Sequence, residues 1–533
     1  MQPLDLSPFP AAHSAAGSPH RPDATGRVAA ADPMTVVPVW PHSASRRGTA
    51  MRVAIPRATP RTSRLATVIA AMLSTALVAG CATYSARPLP TGAGLHRDVA
   101  TLRVDASHIA LPRLAAQRID LSAPLSIDAV ATLAVLNDPQ LRAARDRLGI
   151  ARAQAFAAGL LPDPQFSASH DDPGHSAGAT TSAYSFGLSV DLGSLITRPA
   201  AVAAAKAGER QVDLDILWQE WQVAGQAQLL FVQLAGLQQR QALLQQQRDL
   251  IRARLQRQLD AVAADNLARP VADATRVELQ AIESRLAAGE QTAVGLQAQL
   301  HALLGLDPAV PLRLGTLPGI PPESATQAHA ALARIASVRP DLMALRAGYA
   351  SAEQKLREAV LAQFPSVSVG FTRARDTTDV HTTGFGVSFN LPLFNGSRGA
   401  IAVRSATREA LYDDYRVRLG LARAGVEQAL SNLAVLRTEQ TRLARQIPLL
   451  QTADAAARQA LAQGTITLPQ AQAQRAAWLD ARLALLSVRQ QIAEQAVALD
   501  LLTGSGLYRP RPGGDARRPD ALATAPSFRN SNP

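Results

Sequence analysis

Four residues of metal-ligating types lie close together in the chain: His170, Asp171, Asp172 and His175. Imidazole nitrogens and carboxylate oxygens both bind divalent metal ions in proteins. These residues stand between two segments with strand-like patterns, where a solvated loop explains their polarity, so we predict no metal site. The chain has no Ser/His/Asp set with recognisable spacing, no phosphate-cradling glycine loop and no cysteine pair. We therefore predict no catalytic residue, no cofactor and no enzymatic activity.

The single cysteine, Cys81, follows a pattern that predicts covalent lipid attachment. Basic residues after Met51 precede an apolar run at 65–79, the arrangement of a secretory signal, and this run is too short to span a bilayer. The sequence Leu-Val-Ala-Gly-Cys at 77–81 resembles a bacterial lipobox, in which the cysteine is acylated and becomes the first mature residue. An ordinary signal with an incidental cysteine is the alternative. We predict a lipoprotein signal peptide at 51–80.

Residues 1–50 precede this signal and are rich in Pro, Ala, Ser and His. A secretory signal normally stands at the N-terminus of its precursor. We therefore predict that 1–50 is a non-native extension and that translation starts at Met51, with Met34 as the second choice. An N-terminal precursor peptide from upstream of Met51 would contradict this. The mature chain would then open with a segment at 81–125.

The net charge of +12 is concentrated at the two ends of the chain. Residues 1–80 hold eight Arg against three Asp, and residues 509–533 hold five Arg against two Asp. Between them, basic and acidic residues are interspersed and no basic patch with interleaved aromatic residues occurs, so we predict no nucleic-acid partner. The tail at 509–533 has no hydrophobic periodicity, and we predict it to be disordered.

Residues 182–192 and 384–391 alternate apolar residues with small or polar ones. Period-two alternation places all apolar side chains on one face of a strand. One face toward lipid and the other toward a wet lumen is typical of a transmembrane β-strand. The pattern thus predicts membrane strands in two separate parts of the chain.

The chain is internally duplicated. Pro139 and Pro340 are 201 positions apart, and Gly305 and Gly504 are 199 apart, within similar local sequences. We predict repeats at 126–315 and 324–508, each with the order helix, strand, loop, strand, long helix, turn, helix. In the first repeat the opening helix is predicted at 126–159 and the strands at 166–170 and 183–192.

A very long helix is predicted in each repeat. No proline occurs between Pro199 and Pro270, and helix formers over about sixty residues give a rod of roughly 90 Å. Its apolar stripe is coiled-coil-like and requires partner helices. The second long helix is predicted at 399–463, with Pro448 kinking or splitting it. Turns at 264–267 and 463–466 then reverse the chain.

Four short strands cannot close a transmembrane barrel, which begins at about eight. An open sheet in lipid would leave unpaired edges, which a bilayer does not tolerate. The strands therefore predict an oligomer, and three copies would supply twelve strands, enough for a water-filled pore.

The duplicated plan, the sequence Leu-Pro-Leu-Phe-Asn-Gly at 391–396 and the turn Gln-Gly-Thr at 463–465 resemble the outer-membrane efflux proteins, the TolC-like family. The resemblance covers roughly 120–508, and the lipobox resembles the lipoprotein branch. It implies a mainly α chain with a small membrane β part, forming a trimeric twelve-stranded β-barrel continued by a long α-helical coiled-coil barrel. It also implies a lipid-anchored protein of a Gram-negative outer membrane, with its helices in the periplasm. The implied partners are a periplasmic adaptor and a proton-driven inner-membrane transporter.

The resemblance assigns the two turns to adaptor contact. Gly464 and Thr465 match the family's helix-tip turn, and Asp265 and Asn266 stand at the equivalent place in the first repeat. The family usually has glycine at both turns, so Asp265 departs from the pattern. Chain reversal alone is the alternative role.

TolC-like channels commonly narrow at this end through charged residues just past the turn. Here Gln470 stands where a carboxylate is expected, followed by Arg475, and the first repeat offers Asp273 and Arg276. We treat these four as possible gate or inter-helix contacts. A solvated helical face is the alternative for Asp273 and Arg276.

Two sequence cues about the cargo disagree. Residues 158–164 resemble a pattern frequent in heavy-metal efflux members, whereas Arg339-Pro340-Asp341-Leu342 is frequent in members that export drugs and organic solutes. We predict the channel of a tripartite efflux system for small organic compounds or drugs. A heavy-metal cation channel and a type I protein secretion conduit are the alternatives.

Overall fold

The computed structural model describes residues 84–107, 109–174, 180–317, 319 and 325–504. The predicted extension, the signal peptide, Cys81, His175 and the tail at 509–533 lie outside the described residues. The chain divides at Pro90. Residues 84–90 form an exposed segment without helix or strand, and the following paragraphs concern the unit that begins at Thr91.

Among the described residues, each half of this unit holds five α-helices and two strands. After a 3-10 turn at Val99–Thr101, the first half contains α1 (Pro112–Ala115), α2 (Ile127–Asn137), α3 (Pro139–Gly159), β1 (Gln165–Asp171), β2 (Ala183–Asp191), α4 (Gly193–Ala263) and α5 (Arg269–Leu304). The second half contains α6 (Ala325–Ala333), α7 (Ile335–Val338), α8 (Pro340–Leu361), β3 (Ser366–Arg375), β4 (His381–Asn390), α9 (Arg398–Ala462) and α10 (Leu468–Thr503). The order predicted for each repeat is confirmed.

Two prolines within the predicted helices have different effects on the chain. The single opening helix expected at 126–159 is wrong, because the chain breaks between α2 and α3 at Pro139. Asp138 has an extended ψ of 122°, as a residue before proline prefers, and its carboxylate accepts a hydrogen bond of 2.8 Å from Leu141 N. Of the two outcomes predicted at Pro448, a kink or a split, the split does not occur, since α9 continues through it.

The four strands form one antiparallel sheet in the order β1-β2-β3-β4. The helices follow the same order. α4 packs against α3 and α5 on one side and against α8 and α10 on the other, while α9 packs against α8 and α10. One lateral edge of the chain is therefore made of β1, α3 and α5, and the opposite edge is made of β4 and α9.

The core lies where α2 and the segment at 91–125 cover the middle of α4. Trp221 and Phe231 of α4 are fully buried there, together with Leu133 of α2 and Leu304 of α5.

Among the described helices, none has a stretch long and apolar enough to cross a membrane.

Candidate functional site: the sheet, the helix turns and the junction of the two halves

The strand register separates the sheet into an apolar and a polar face. Phe166, Leu188, Phe371 and Phe385 lie side by side across the four strands, and Val190, Val369 and Val387 form the next row. The alternate positions hold Ser, Gly, Thr, Asp and Asn, with one Gln and two Ala, as in the neighbouring triplet Ser189, Gly370 and Gly386. The alternation read from the sequence is thus continuous across the whole sheet, although its two halves come from different repeats.

The apolar face of the sheet is exposed within one chain. Phe385 and Phe389 are 74% and 60% exposed, and no described residue of the chain covers them. The outer edges of β1 and β4 pair with no described strand. Such a sheet needs an apolar solvent on one face and a partner at each edge.

The two helix turns have the same backbone geometry. Asp265 has a φ of 55° and Gly464 a φ of 68°, and both lie in the left-handed region that ends many helices. Asn266 N donates to Ala261 O at 2.8 Å, and Thr465 N donates to Ala460 O at 2.9 Å, which closes each turn as a Schellman motif. The four predicted turn residues are all exposed. The departure at Asp265 therefore changes the side chain and leaves the turn unaltered.

The four residues predicted as gate or inter-helix contacts form hydrogen bonds or ion pairs within the chain. Gln470 belongs to a capping box, in which Thr467 N donates to its Oε1 at 2.8 Å. Arg276 and Asp273 form an exposed ion pair of 3.2 Å one turn apart on α5. Only Arg475, of these four, contacts the facing helix.

Arg475 binds a buried carboxylate that sequence reasoning missed. Its Nη1 lies 2.9 Å from Oδ2 of Asp454 on α9, and Arg458 Nη2 lies 3.2 Å from the same oxygen. Asp454 is 1% exposed, and its Oδ1 has no hydrogen-bond partner among the described residues. The only sequence signal was an aspartate on the same helical face as buried Leu443 and Ala457.

A second buried charge cluster joins the two halves of the chain. Arg339, one residue before α8, binds both carboxylate oxygens of Asp341 at 2.9 and 2.7 Å, and Arg418 of α9 binds Oδ2 at 2.8 Å. The Arg339 guanidinium lies 4.9 Å above the Trp218 ring of α4. The Arg-Pro-Asp-Leu motif, which the sequence offered as a cue to cargo, therefore has a structural role between α4, α8 and α9.

Burial and charge in this cluster shift the pKa values of two carboxylates in opposite directions. Burial raises the pKa of Asp341, but hydrogen bonds and charge from Arg339 and Arg418 outweigh it and hold the pKa below its usual range. Burial and the negative charge of Asp341 raise the pKa of Asp215 on α4 to about 6. Asp215 therefore changes charge in a mildly acidic range.

The histidine and aspartate cluster near the first hairpin does not assemble into a ligand set among the described residues. His170 and Asp171 are successive residues of β1 and so point to opposite faces of the sheet. The Asp172 carboxylate accepts a hydrogen bond of 3.0 Å from the Ser182 hydroxyl across the hairpin.

Comparisons with known proteins agree with the resemblance drawn from the sequence. The model of the outer membrane efflux protein family matches residues 331–505. None of the curated protein sequences compared with the chain matches it.

Solved outer-membrane channels have the same fold. The outer-membrane channel OprN superposes with a TM-score of 0.62 at 18% identity over 80% of this chain and 99% of its own. The CmeC outer membrane channel of Campylobacter jejuni gives 0.61 at 15% identity over 80% and 95%. The outer membrane protein VceC of Vibrio cholerae gives 0.60 at 17% identity over 71% and 96%. The second repeat therefore carries the outer membrane efflux protein signature, and the chain has the fold of the TolC-like outer-membrane channels.

Proposed function

We propose that this protein is the outer-membrane channel of a tripartite efflux system and works as a ring of three copies. The observation that carries the proposal is the open four-stranded sheet with one continuous apolar face, joined directly to helices of 71 and 65 residues. A soluble scaffold has no use for an exposed face of Phe, Val and Leu opposite Ser and Gly. A membrane strand has a use for both.

The two lateral edges of the chain are suited to head-to-tail assembly. Both edges expose apolar side chains on their helices: Ile150 and Phe156 of α3, Val277 and Val294 of α5, and Val403, Val417, Leu421, Val435 and Leu449 of α9. The positions in α9 are spaced by four or fourteen residues, the stripe of a coiled-coil seam. Because the edges differ, each contact is heterologous and the ring closes only at a fixed number of copies. Three copies give twelve strands.

The anchor and the partners follow from the same proposal. Acylation of Cys81 would hold the mature N-terminus at the membrane, and dual chains of a lipoprotein are sufficient for stable anchoring. The exposed turns at Asp265-Asn266 and Gly464-Thr465 would meet a periplasmic adaptor, which an inner-membrane transporter supplies with cargo. The channel itself would catalyse no reaction.

For the cargo we propose small organic compounds, including drugs, on the Arg-Pro-Asp-Leu cue at 339–342. The pattern at 158–164 keeps a heavy-metal cation channel as the second candidate. A growth-inhibition panel on a deletion strain distinguishes them. Hypersensitivity to antibiotics, dyes or detergents that the intact gene restores supports organic export. Hypersensitivity confined to zinc, cadmium, copper or silver supports the metal channel. A deletion strain with neither kind of hypersensitivity would contradict both cargo candidates.

The turn at Gly464 provides the sharper test of adaptor contact. Arginine there would place a long cation at the tip, but any non-glycine residue at a φ of 68° also strains the backbone. Gly464→Gln is the matched control, because glutamine carries a comparable strain at this position without a charge. We expect heat-resistant trimers from both variants and export only from Gly464→Gln. Normal export from Gly464→Arg would contradict the assignment.

A further inference from the structure

The apolar face of the sheet changes character at the hairpin end. Beyond the row that contains Phe371, the next row holds Ala168, Phe186, Arg373 and Thr383, and the last holds His170, Tyr184, Arg375 and His381. These residues alternate with the polar face in the same register as the phenylalanines, so their side chains leave the sheet on its apolar side. Two arginines and two histidines thus border the apolar surface at this end.

The acidic residues of the hairpins leave one of these arginines without a partner. Arg375 Nε lies 2.8 Å from Asp379 Oδ1, and His381 Nε2 lies 3.9 Å from the same oxygen. Asp376 accepts hydrogen bonds of 2.9 and 3.0 Å from Thr378 N and Val380 N inside its own turn. Arg373 is exposed and forms no ion pair with any described residue.

Arg373 is informative because of where it stands. An arginine on the lipid-facing side of a barrel costs about 2–4 kcal/mol at the bilayer midplane but close to zero at the interface. With apolar rows on the helix side and Tyr184 and His381 beyond it, Arg373 marks the depth at which hydrocarbon gives way to headgroups. Its long side chain can extend outward to that level. No described carboxylate pairs with Arg373, so its guanidinium is available to an anion from outside the described residues.

We propose that Arg373, assisted by the rim of His170, Tyr184 and His381, binds a phosphate group of an outer-leaflet glycolipid. This inference rests on the proposed function, which places the helices in the periplasm and the hairpins at the outer surface. A planar guanidinium forms paired, charge-assisted hydrogen bonds with phosphate, which favours arginine at such a position. Each copy of the ring contributes one site.

The test measures glycolipid binding to the intact oligomer. The purified oligomer, in mild detergent, is titrated by native mass spectrometry with bis-phosphorylated lipid A, dephosphorylated lipid A or phosphatidylglycerol. Arg373→Gln removes the charge, and Arg404→Gln is the control, since Arg404 is an exposed arginine of α9 that forms no ion pair with a described residue. We expect Arg373→Gln to weaken binding of the bis-phosphorylated lipid about tenfold, equivalent to one charge-assisted hydrogen-bonding pair. The control should bind as the unaltered protein does, and Arg373→Lys should be intermediate.

The remaining outcomes overturn the proposal. Equal binding by Arg373→Gln, or equal binding of dephosphorylated lipid A, would remove the phosphate site. Phosphatidylglycerol bound as tightly as lipid A would assign the arginine to ordinary phospholipid. If the unaltered protein forms no heat-resistant oligomer in outer membranes, the proposed function fails together with this inference. A stable oligomer in which Arg373 makes no difference contradicts the inference alone.

Discussion

The two halves of the chain share one backbone plan but reverse the charges that hold it together. In the first half the long helix α4 contributes Glu220, which binds Arg145 of α3 at 2.7 Å. In the second half the long helix α9 contributes Arg418, which binds Asp341 of α8 at 2.8 Å. Each pair links an opening helix to a long helix, with the cation and the anion exchanged.

The same reversal occurs near the turns. On α4 the cation Arg254 binds Glu278 of the returning helix α5 and also Thr275 at 3.0 Å. On α9 the anion Asp454 binds Arg475 of the returning helix α10. The turns themselves have identical hydrogen-bonding patterns, so the backbone of the duplicated unit was preserved while its side-chain contacts diverged.

The reversed charges distinguish the two hairpins within one chain. If α5 took the place of α10 against the face of α9 that holds Asp454, Glu278 would approach Asp454. If α10 took the place of α5 against α4, Arg475 would approach Arg254. Such pairings of like charge are unfavourable, whereas both native pairings are favourable. The halves also differ in exposure: α4 is buried along much of its length within the chain, whereas the apolar stripe of α9 is exposed.

The largest loss of stability is expected from a substitution in the charge cluster that joins the two halves. Asp341→Ala would leave Arg339, which is 5% exposed at its side chain, buried without its carboxylate. Breaking a buried pair in this way costs about 3–5 kcal/mol. Glu220→Ala in the first half leaves Arg145, 39% exposed, able to reach water, and should cost about 1 kcal/mol. Thermal loss of helicity by circular dichroism would compare them, and similar losses from the two variants would contradict the account.

A somewhat smaller effect on stability is expected from Asp215, the carboxylate whose pKa is raised. Burial and the charge of Asp341 raise the pKa of Asp215 to about 6, above its value in the unfolded chain. The folded state then holds more protons than the unfolded state between about pH 4 and pH 6, so the stability contributed by this group falls as pH rises through that range. Asp215→Asn should raise stability at pH 7 by about 2 kcal/mol and flatten the profile. An unchanged slope of melting temperature against pH would count against this.

Near the turns, we expect a charge-reversing substitution to lower the stability of the second hairpin by about 2 kcal/mol and that of the first hairpin by less. Asp454→Arg would bring a third cation beside Arg458 and Arg475, and Arg475→Asp in the same chain should restore much of the loss. Glu278→Arg in the first hairpin should be milder, because Glu278 is 41% exposed. Hydrogen exchange in peptides near each turn measures the two separately. If the amides near the second turn exchanged as fast in the double variant as in Asp454→Arg, the charge pair between α9 and α10 would not be what stabilises this hairpin.

The smallest effect concerns the turn residue itself. Asp265 holds a left-handed conformation that glycine adopts without strain, so Asp265→Gly should stabilise the first turn by up to about 1 kcal/mol. Gly464→Asp is the reciprocal change and should destabilise the second turn by a similar amount. Slower amide exchange at 261–266 in the first variant would support this expectation, and faster exchange would contradict it.

Much of this architecture could be predicted from the sequence because it depends on local pattern. Alternation at 182–192 and 384–391 identified the strands, and the proline-free run before Pro270 identified the long helix. The turn at 463–466 was identified by glycine. Each of these signals is contained within one segment and follows directly from backbone geometry.

What could not be predicted depends on contacts between segments. The periodicity of α9 marks an apolar stripe without showing that α4 leaves this stripe exposed. Arg475 was recognised as a charge past the turn, but its partner Asp454 lies on another helix at a distance in sequence. The break at Pro139 also depends on context, since Asp138 caps α3. At Pro448 no such cap occurs, and α9 continues along its partner α10.

One cysteine pair tests the proposed assembly of copies through their two unlike edges. Val435 of α9 lies 27 residues before the end of its helix and Val294 of α5 lies 25 residues after the start of its own, so both stand about 40 Å from the turns. They are 70% and 67% exposed on opposite edges.

We would oxidise the protein that carries both Val294→Cys and Val435→Cys in its membrane and separate it on a denaturing gel, with each single variant as control. Copies that meet head to tail in a closed ring predict covalent species that end at the trimer, and only in the double variant. Monomers alone, or a ladder that continues beyond three copies, would contradict the ring.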